Sequence, residues 1–305
     1  MTQSKPGLMK KWLTILVITC IVPATASFAA ENTVRLAYVE WSTEIASTHL
    51  VKAVLQEKMG VHCEAIPMEA NKMWESIASG EVDGMVAAWL PGTHGHYYKE
   101  VENRVENLGP NLEGAQIGLV VPSVQVGRQT MGTGLRNKPY VTVESISELN
   151  QYAEKFRGKI IGIDPAAGVM KKTRRAMEVY DLTRFRLVSG SEVSMTAELS
   201  NAIRKQRWIV VTGWSPHWMF GRWDMRFLDD PRGVYGGEEY IATMVRKGLK
   251  KDMPEVYHFL DNFYWTPEEM DQLMVWIKDD DGLYPYEKAL RWMQYNEKRL
   301  QSWLN

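Results

Sequence analysis

The chain is poor in cysteine. Its 305 residues include two, Cys20 and Cys63. Cys20 falls within an N-terminal segment that we expect to be removed, so the mature chain would keep Cys63 alone and could form no intramolecular disulfide. This excludes the small secreted domains that depend on disulfides for stability. It fits a bacterial periplasm or cell surface, where disulfides are permitted but not required.

A strong excess of either charge is also missing. The formal net charge is −1, and loss of three N-terminal lysines that have no acidic neighbours would bring it to about −4. A mildly acidic chain lacks the electrostatic footprint of a nucleic-acid-binding protein. The one basic run that stands out, at 171–175, has the spacing of a solvated helix face.

Clusters of metal ligands and of nucleophiles are missing as well. His94 and His96 would need further ligands to hold zinc, and the other histidines are scattered. Ser215 lies in Gly-Trp-Ser-Pro-His, which is not the Gly-x-Ser-x-Gly of a nucleophile turn. We therefore expect no cofactor, no metal and no enzymatic activity. An exported metal-dependent enzyme that uses His94 and His96 is the alternative from outside the binding proteins.

One long apolar run is present, near the N-terminus. Three lysines precede it, it extends from Trp12 to about Val22, and small residues follow up to Ala30. This is the three-part layout of a secretory signal peptide. The apolar run is shorter than the ~20 residues that a membrane span requires. We therefore predict that segment 1–29 is removed by cleavage after Ala29.

Cys20 raises the alternative of a lipid anchor. It follows Thr19, whereas a lipoprotein signal prefers a smaller residue before its cysteine, and the Ala-rich cleavage site competes with it. We therefore expect export to the periplasm, with lipid anchoring at Cys20 as the less favoured alternative.

The rest of the sequence alternates between strand and helix patterns. Apolar runs typical of buried strands lie at 36–41, 63–68, 85–89, 116–121, 159–164, 186–189, 208–214 and 241–246. Helical patterns lie at 42–59, 71–79, 168–180, 193–205, 254–263, 267–279 and 285–303, and another begins at Ser145. This order predicts an α/β fold with a mostly parallel sheet.

The alternation is interrupted at 123–140, which is rich in Gly, Gln, Thr and Arg. We interpret this segment as a crossover between two α/β lobes, with a return near 234–246. The predicted lobes are 30–122 plus 240–305 and, between these, 123–239. A cleft between lobes is where small ligands tend to bind.

Tryptophan is abundant, with 12 in the chain. Five fall at or near helical positions, and we expect them to pack in the core: Trp74, Trp265, Trp276, Trp292 and Trp303. Trp218 and Trp223 could line the cleft, but core packing is the favoured interpretation for both. Three others end runs that predict buried strands: Trp41, Trp89 and Trp214. Ligands bind beyond the carboxyl ends of the strands in open α/β sheets, so these three indoles would form an aromatic box, which suits a quaternary ammonium cation.

Two further motifs suit an anion at the same crevice. Residues 164–170, Asp-Pro-Ala-Ala-Gly-Val-Met, form a small-residue turn that opens a helix and presents free backbone N–H groups. The turn lacks the spaced glycines and the lysine of nucleotide loops, so a carboxylate suits it better than a phosphate. His94, five residues past Trp89, can donate a hydrogen bond to the same anion.

The residues around these features resemble the glycine betaine-binding proteins of ABC-type importers, the OpuAC-like family of extracytoplasmic substrate-binding proteins. The resemblance covers about 33–304. It rests on four segments: Leu-Ala-Tyr-Val-Glu-Trp-Ser-Thr-Glu-Ile-Ala-Ser at 36–47, Ala-Ala-Trp-Leu-Pro-Gly-Thr-His at 87–94, Gly-Ile-Asp-Pro-Ala-Ala-Gly at 162–168 and Thr-Gly-Trp-Ser-Pro-His-Trp-Met at 212–219. It implies an α/β, two-lobed periplasmic binding protein of type II-like fold that closes over its ligand in the cleft.

The resemblance also implies roles for single residues. Three indoles would surround the trimethylammonium group: Trp41, Trp89 and Trp214. The ligand carboxylate would be held by the His94 side chain and by the backbone N–H groups of Gly168 and Val169. The implied partners are the permease and ATPase subunits of an ABC importer, and we expect the protein itself to be a monomer.

Related ligands stay open as alternatives to glycine betaine. Choline, carnitine, proline betaine and sulfonium solutes share the methylated cation. Choline lacks the carboxylate, and carnitine requires a roomier pocket.

Overall fold

The computed structural model describes residues 1–3, 33–123 and 141–305. The chain divides into two units, Met1–Glu31 and Asn32–Asn305, and the fold given below is that of the second. Two predicted segments lie mostly outside the described residues: the signal segment 1–29, which contains Cys20, and the interruption at 123–140.

The described residues of the second unit are built on one nine-stranded sheet. Its strands are β1 (Val34–Tyr38), β2 (Cys63–Pro67), β3 (Gly84–Leu90), β4 (Val105–Pro122), β5 (Lys159–Ile161), β6 (Arg186–Val188), β7 (Val211–Ser215), β8 (Met225–Phe227) and β9 (Glu239–Arg246). In space they follow the order β2-β1-β3-β9-β4-β7-β5-β6, and β8 pairs with β4 beside this path. β3 is buried along its whole length, as expected for a central strand covered on both faces.

Strand direction differs from the prediction in the middle of the sheet. β1 pairs in parallel with β2 and β3, and β5 pairs in parallel with β6 and β7. β9 instead runs antiparallel to β3 and β4, and β4 runs antiparallel to β7 and β8. The expectation of a mostly parallel sheet is therefore wrong for the centre. The reason is that β4 carries the chain out of the first half of the sheet and β9, beside it, carries the chain back.

β4 extends across both halves of the sheet. It is 18 residues long, whereas the sequence predicted a strand only at 116–121. Residues 105–115 pair with β9, and residues 116–120 pair with β7. The register shifts just before Ala115, and such irregularities bend a strand. Ala115 lies opposite Glu239, the first residue of β9, so the two connections between the halves run side by side.

Helices flank the sheet. Within the described residues these are α1 (Ser42–Met59), α2 (Ala70–Ser79), α3 (Gly95–Val101), α4 (Gly168–Val179), α5 (Glu192–Arg204), α6 (Trp218–Arg222), α7 (Leu249–Asp252), α8 (Pro254–Asn262), α9 (Pro267–Asp279), α10 (Pro285–Tyr295), α11 (Glu297–Leu304) and the 3-10 helix Ile146–Tyr152. None of them combines the length and the apolar character that a bilayer span requires.

The predicted α1 is confirmed at both ends. It stops where Gly60 adopts φ of 66°, a left-handed conformation that glycine tolerates at a helix end. The helix predicted at 285–303 is instead two helices, because Asn296 leaves the helical conformation with φ of −123° and ψ of 37°. The short helices α3, α6 and α7 were not predicted, since one or two turns give too little periodicity to detect.

The C-terminal helices close over a core of stacked tryptophans. Trp265, Trp292 and Trp303 are all at most 1% exposed. The rings of Trp292 and Trp303 stack with centroids 6.0 Å apart and planes within 2°. Trp265 meets Trp292 edge-on at 6.1 Å. The packing role predicted for these three is confirmed, as it is for Trp74, which is 1% exposed.

We expect Trp292→Ala to lower the free energy of unfolding by about 3–5 kcal/mol, because it opens a cavity between two buried rings. Gln294→Ala, on the exposed face of α10, is the matched control and should change the free energy by less than about 0.5 kcal/mol. Urea unfolding of both variants measures the difference. Equal stabilities would contradict a structural role for the stack.

Candidate functional site

An inner cavity lies where β3, β7 and the start of α4 meet. It contains about 320 Å³ of space free of protein atoms, part of it open toward solvent. The lining residues are Trp41, Thr43, Trp89, Thr93, His94, Ile117, Ile163, Ala167, Gly168, Val169 and Trp214. The structure thus brings all six predicted site residues to one cavity, and their part in binding a ligand stays a prediction.

Trp41 reaches the cavity from the turn between β1 and α1. Its indole Nε1 donates a hydrogen bond of 3.1 Å to Asp164 Oδ2, in the turn that precedes α4. A second hydrogen bond fixes the backbone before Trp41: the N–H of Val39 donates to the Glu44 carboxyl at 2.7 Å. Burial raises the pKa of Glu44 to about 8, so this carboxyl is mainly protonated at neutral pH and adds little charge near the cavity.

Trp89 and His94 are joined by two hydrogen bonds. The N–H of His94 donates to the Trp89 carbonyl at 2.8 Å, and the N–H of Trp89 donates to His94 Nδ1 at 3.2 Å. An Nδ1 that accepts is unprotonated, so the neutral ring carries its proton on Nε2. The ring is fully buried, and Nε2 has no hydrogen-bond partner among the described residues. A buried donor without a partner is unusual, so this N–H is available to an occupant of the cavity.

The inner cavity offers hydrogen-bond donors without formal charge. Burial, with a smaller effect of the nearby His96, lowers the pKa of His94 to about 3, so its imidazole is neutral at physiological pH. No other ionisable side chain occurs among the described residues that line the cavity. The site is therefore electrically suited to an occupant of zero net charge, because a lone buried ion would lack a counter-charge.

Trp214 lies in β7 on the far side of the cavity. Its cross-strand partner in β4 is Ile117, which also lines the cavity. The Trp214 ring meets His217 edge-on, with centroids 4.7 Å apart. Among the described residues no ring contact joins any two of Trp41, Trp89 and Trp214. The three indoles thus line one space without stacking on each other.

Gly168 and Val169 begin α4 at the cavity. Within the described part of the chain, neither N–H donates to a protein acceptor, whereas the N–H groups of Met170 and Lys171 both donate to the Ala167 carbonyl. The first N–H groups of a helix are unsatisfied within it and carry the positive end of its dipole. Two such donors side by side have the geometry to donate to one anionic group, such as a carboxylate.

Gly168 also sets how closely α4 approaches the turn that carries His94. A Cβ at this position would lie 2.4 Å from the Thr93 carbonyl oxygen, well inside van der Waals contact. Any side chain at 168 would therefore push α4 away from Thr93 and widen the inner cavity.

A larger outer cavity adjoins the inner one and contains about 1880 Å³ of space free of protein atoms, part of it open toward solvent. Trp41 and Ala167 line both. The outer cavity is also lined by Asp164, Glu192 and Trp218. Trp218 is at the same time buried, at 4% exposed, so it combines the packing role favoured from the sequence with a place in the cavity wall. Sequence reasoning missed three residues that line the cavities. Glu192 carries no motif, whereas Thr93 directly precedes His94 and Thr43 lies two residues after Trp41.

His94 and His96 do not form part of a metal site in the described residues. No group of three or more His, Cys, Asp or Glu side chains there is arranged to hold a metal ion. The ring of His96 packs against Tyr97, with centroids 3.9 Å apart.

We expect the His94 imidazole to stay neutral, with its proton on Nε2, throughout pH 5–8. The physical reason is that burial lowers its pKa to about 3 while Nδ1 accepts from the Trp89 N–H. Nitrogen-15 NMR of labelled protein reads both the charge and the tautomer, and His94→Gln assigns the resonance. Titration of this ring between pH 5 and 8, or a proton on Nδ1, would contradict the geometry.

Comparison with known proteins gives a family match over most of the chain. The family model of the OpuAC substrate-binding domain of ABC-type glycine betaine transport systems matches residues 32–295. The glycine betaine/carnitine transport binding protein GbuC of Listeria monocytogenes is 42% identical over 167 residues, which are 54% of this chain and 53% of that protein. The match thus spans about half the length of this curated relative.

Solved structures of transport proteins share the fold. Lactococcal OpuAC, in its closed-liganded conformation with glycine betaine, is 38% identical and aligns with a TM-score of 0.79 over 90% of this chain and 100% of that one. The glycine betaine/L-proline-binding protein ProX of Borrelia burgdorferi is 36% identical, with a TM-score of 0.81 over 90% of this chain and 97% of that one. Like these, the chain has the α/β fold of two-lobed periplasmic substrate-binding proteins. It belongs to the OpuAC family of substrate-binding domains of ABC-type glycine betaine transport systems.

Proposed function

We propose that this protein captures glycine betaine in the inner cavity, outside the cytoplasm, and delivers it to an ABC importer. One observation carries the proposal. A single cavity presents three indoles, a neutral imidazole N–H and two free backbone N–H groups, and its described lining has no formally charged side chain. Glycine betaine is a zwitterion with a trimethylammonium group, a carboxylate and no net charge.

The cationic end of this ligand matches the indoles. A trimethylammonium group has no N–H to donate, so it is held by the negative faces of aromatic rings and by methyl contacts. Each cation–π contact contributes about 0.5–2 kcal/mol, and more when water is excluded. Trp41, Trp89 and Trp214 are each at most 7% exposed, so contacts with them would be strongly desolvated.

The anionic end matches the donors. His94 Nε2–H and the N–H groups of Gly168 and Val169 have no protein acceptor in the described residues. A carboxylate would satisfy all three, and hydrogen bonds to charged groups contribute about 1.5–3 kcal/mol each. After the cost of ordering the ligand, we expect an affinity of roughly micromolar order.

Choline fits this cavity less well than glycine betaine. Its hydroxyl group would replace the carboxylate and can accept at most two hydrogen bonds, so at least one of the three donors would stay unsatisfied. Its net positive charge would also find no ionised carboxylate in the lining. Carnitine and proline betaine keep both charges but are bulkier than glycine betaine, so they would need a roomier cavity.

Binding would be coupled to closure of two lobes, 30–122 plus 240–305 and 123–239. The change of partner within β4 favours a first crossing a few residues earlier, near Ala115. With either boundary, Trp41, Trp89 and His94 come from one lobe and Trp214, Gly168 and Val169 from the other. A ligand that touches both lobes stabilises the closed arrangement, because only there are all its contacts made.

The proposal also includes the cellular location of the protein and its partner proteins. Segment 1–29 would direct export to the periplasm and then be removed, with lipid anchoring at Cys20 as the less favoured alternative. The closed, loaded protein would dock as a monomer on the permease of an importer that is powered by ATPase subunits.

We expect Trp89→Ala to weaken glycine betaine binding by about 100-fold or more, because it removes one wall of the box and lets water reach the cation. Trp276→Ala is the matched control, since this half-buried tryptophan on α9 packs against Tyr295 and lines neither cavity. Isothermal titration calorimetry of folded variants gives both affinities. A Trp89→Ala protein that binds within about threefold of the wild type would sink the aromatic-box proposal.

A further inference from the structure

Trp41 forms part of the wall between the inner and outer cavities. It lines both, and Ala167 is the other residue that does so. A ligand that leaves the inner cavity toward the outer one passes this wall. The position of Trp41 therefore bears on how fast the inner cavity exchanges its occupant.

Two carboxylates hold the turn formed by Trp41 and Ser42. Asp164 accepts from the Trp41 indole at 3.1 Å. Glu192 accepts from the backbone N–H of Ser42 through Oε2 at 2.9 Å and from the Ser42 hydroxyl through Oε1. Ser42 and Glu192 are 150 positions apart in sequence, and the proposed lobe division puts them in different lobes.

Among the described residues, the groups that form hydrogen bonds with the Glu192 carboxylate are donors. His217 Nδ1 accepts from the Met219 N–H at 3.1 Å, so the ring donates through Nε2, which is 3.0 Å from Glu192 Oε1. The Trp218 indole donates to the Ser42 hydroxyl at 3.0 Å and lies 3.4 Å from Glu192 Oε1. A carboxylate is the acceptor that this set of donors requires.

Glu192 is ionised although it is only 6% exposed. Burial opposes its charge, but the interaction with His217 and the hydrogen bonds from His217 and Ser42 outweigh burial and lower the pKa of Glu192 below its ordinary value. An ionised carboxylate accepts stronger hydrogen bonds than a neutral carboxyl group, so the hydrogen bonds from Ser42 to Glu192 are strong while these donors are present.

We propose that Glu192 is a positioning residue that latches the Trp41–Ser42 turn and thereby slows release of the ligand from the inner cavity. Glu192 does not line that cavity, so it acts through Ser42 and Trp41 and not by touching the ligand. This inference rests on the proposed function and adds to it a residue that sets the residence time.

The latch should act on dissociation and leave association nearly unchanged. Its contacts join residues of different lobes, so they form only as the lobes close and must break before the ligand leaves. Most affinity differences among variants of one site lie in the dissociation rate. Loss of the latch would therefore shorten the bound state without slowing entry.

The test compares Glu192→Gln, Ser42→Ala and the double variant with the wild type by stopped-flow tryptophan fluorescence with glycine betaine. The amide of glutamine would put an N–H group where the neighbouring groups are themselves donors, so hydrogen bonds to Ser42 and His217 would be lost. We therefore expect Glu192→Gln to raise the dissociation rate about 10- to 100-fold. Ser42→Ala should raise it about 3- to 10-fold, and association rates should stay within about threefold. Glu198→Gln, the same change on an exposed part of α5, should behave like the wild type.

Thermal unfolding of the ligand-free proteins separates a latch from a packing contact. Coupling between positions 42 and 192 should appear in the dissociation rates and be missing from the ligand-free Tm, since the open protein does not make the contact. If Glu192→Gln does not fold, Ser42→Ala, whose side chain is half-buried, supports the same comparison.

Three outcomes would overturn the inference in different ways. A wild-type dissociation rate in folded Glu192→Gln, or in Ser42→Ala where that variant stands in, contradicts the latch alone. If positions 42 and 192 are coupled to the same extent in the ligand-free Tm, their contact is also present in the ligand-free protein, and this too contradicts the latch. A wild-type protein that gives no saturable signal contradicts the proposed function and removes the latch with it.

Discussion

The attraction between the face of an indole and a cation without N–H groups is the interaction on which the proposed site depends. Such a cation cannot be held by ordinary hydrogen bonds. A protein carboxylate buried beside it would lose its hydration and would itself need hydrogen bonds or a counter-charge. The inner cavity meets both constraints with three buried tryptophans and no formal charge in its described lining. Its donors, a neutral imidazole and a helix start, provide for the other end of a zwitterion.

The fold makes this arrangement depend on two halves of the sheet. β3 presents Trp89 and the turn to His94, whereas β7 and α4 present Trp214 and the free N–H groups. β4 crosses from one half to the other and β9 returns beside it, so the halves are joined at neighbouring points. The close approach of Gly168 to Thr93 and the grip of Glu192 on Ser42 both lie across this junction. In the proposed function, binding, closure and latching would therefore be linked through the same few contacts.

The sequence predicted which residues line the inner cavity better than it predicted the sheet. Trp41, Trp89 and Trp214 follow or end apolar runs, and the small-residue turn at 164–170 precedes a helical pattern, so local signals marked these positions. The antiparallel centre left no such signal, because the pairing of β9 with β3 and β4 depends on where a distant segment returns. The contact of Glu192 with Ser42 was hidden for the same reason, since neither residue belongs to a motif that points to the other. The 3-10 helix at Ile146–Tyr152 and the break at Asn296 show that helical patterns mark a segment better than its exact geometry.

Isothermal titration calorimetry of the wild-type protein with glycine betaine and, separately, with choline tests the central claim most directly. Both ligands carry the trimethylammonium group, and only glycine betaine carries the carboxylate. The account predicts saturable binding of glycine betaine at roughly micromolar concentration and binding of choline weaker by about tenfold or more. Equal or tighter binding of choline would contradict the carboxylate site, and no binding of either by folded protein would contradict the box itself.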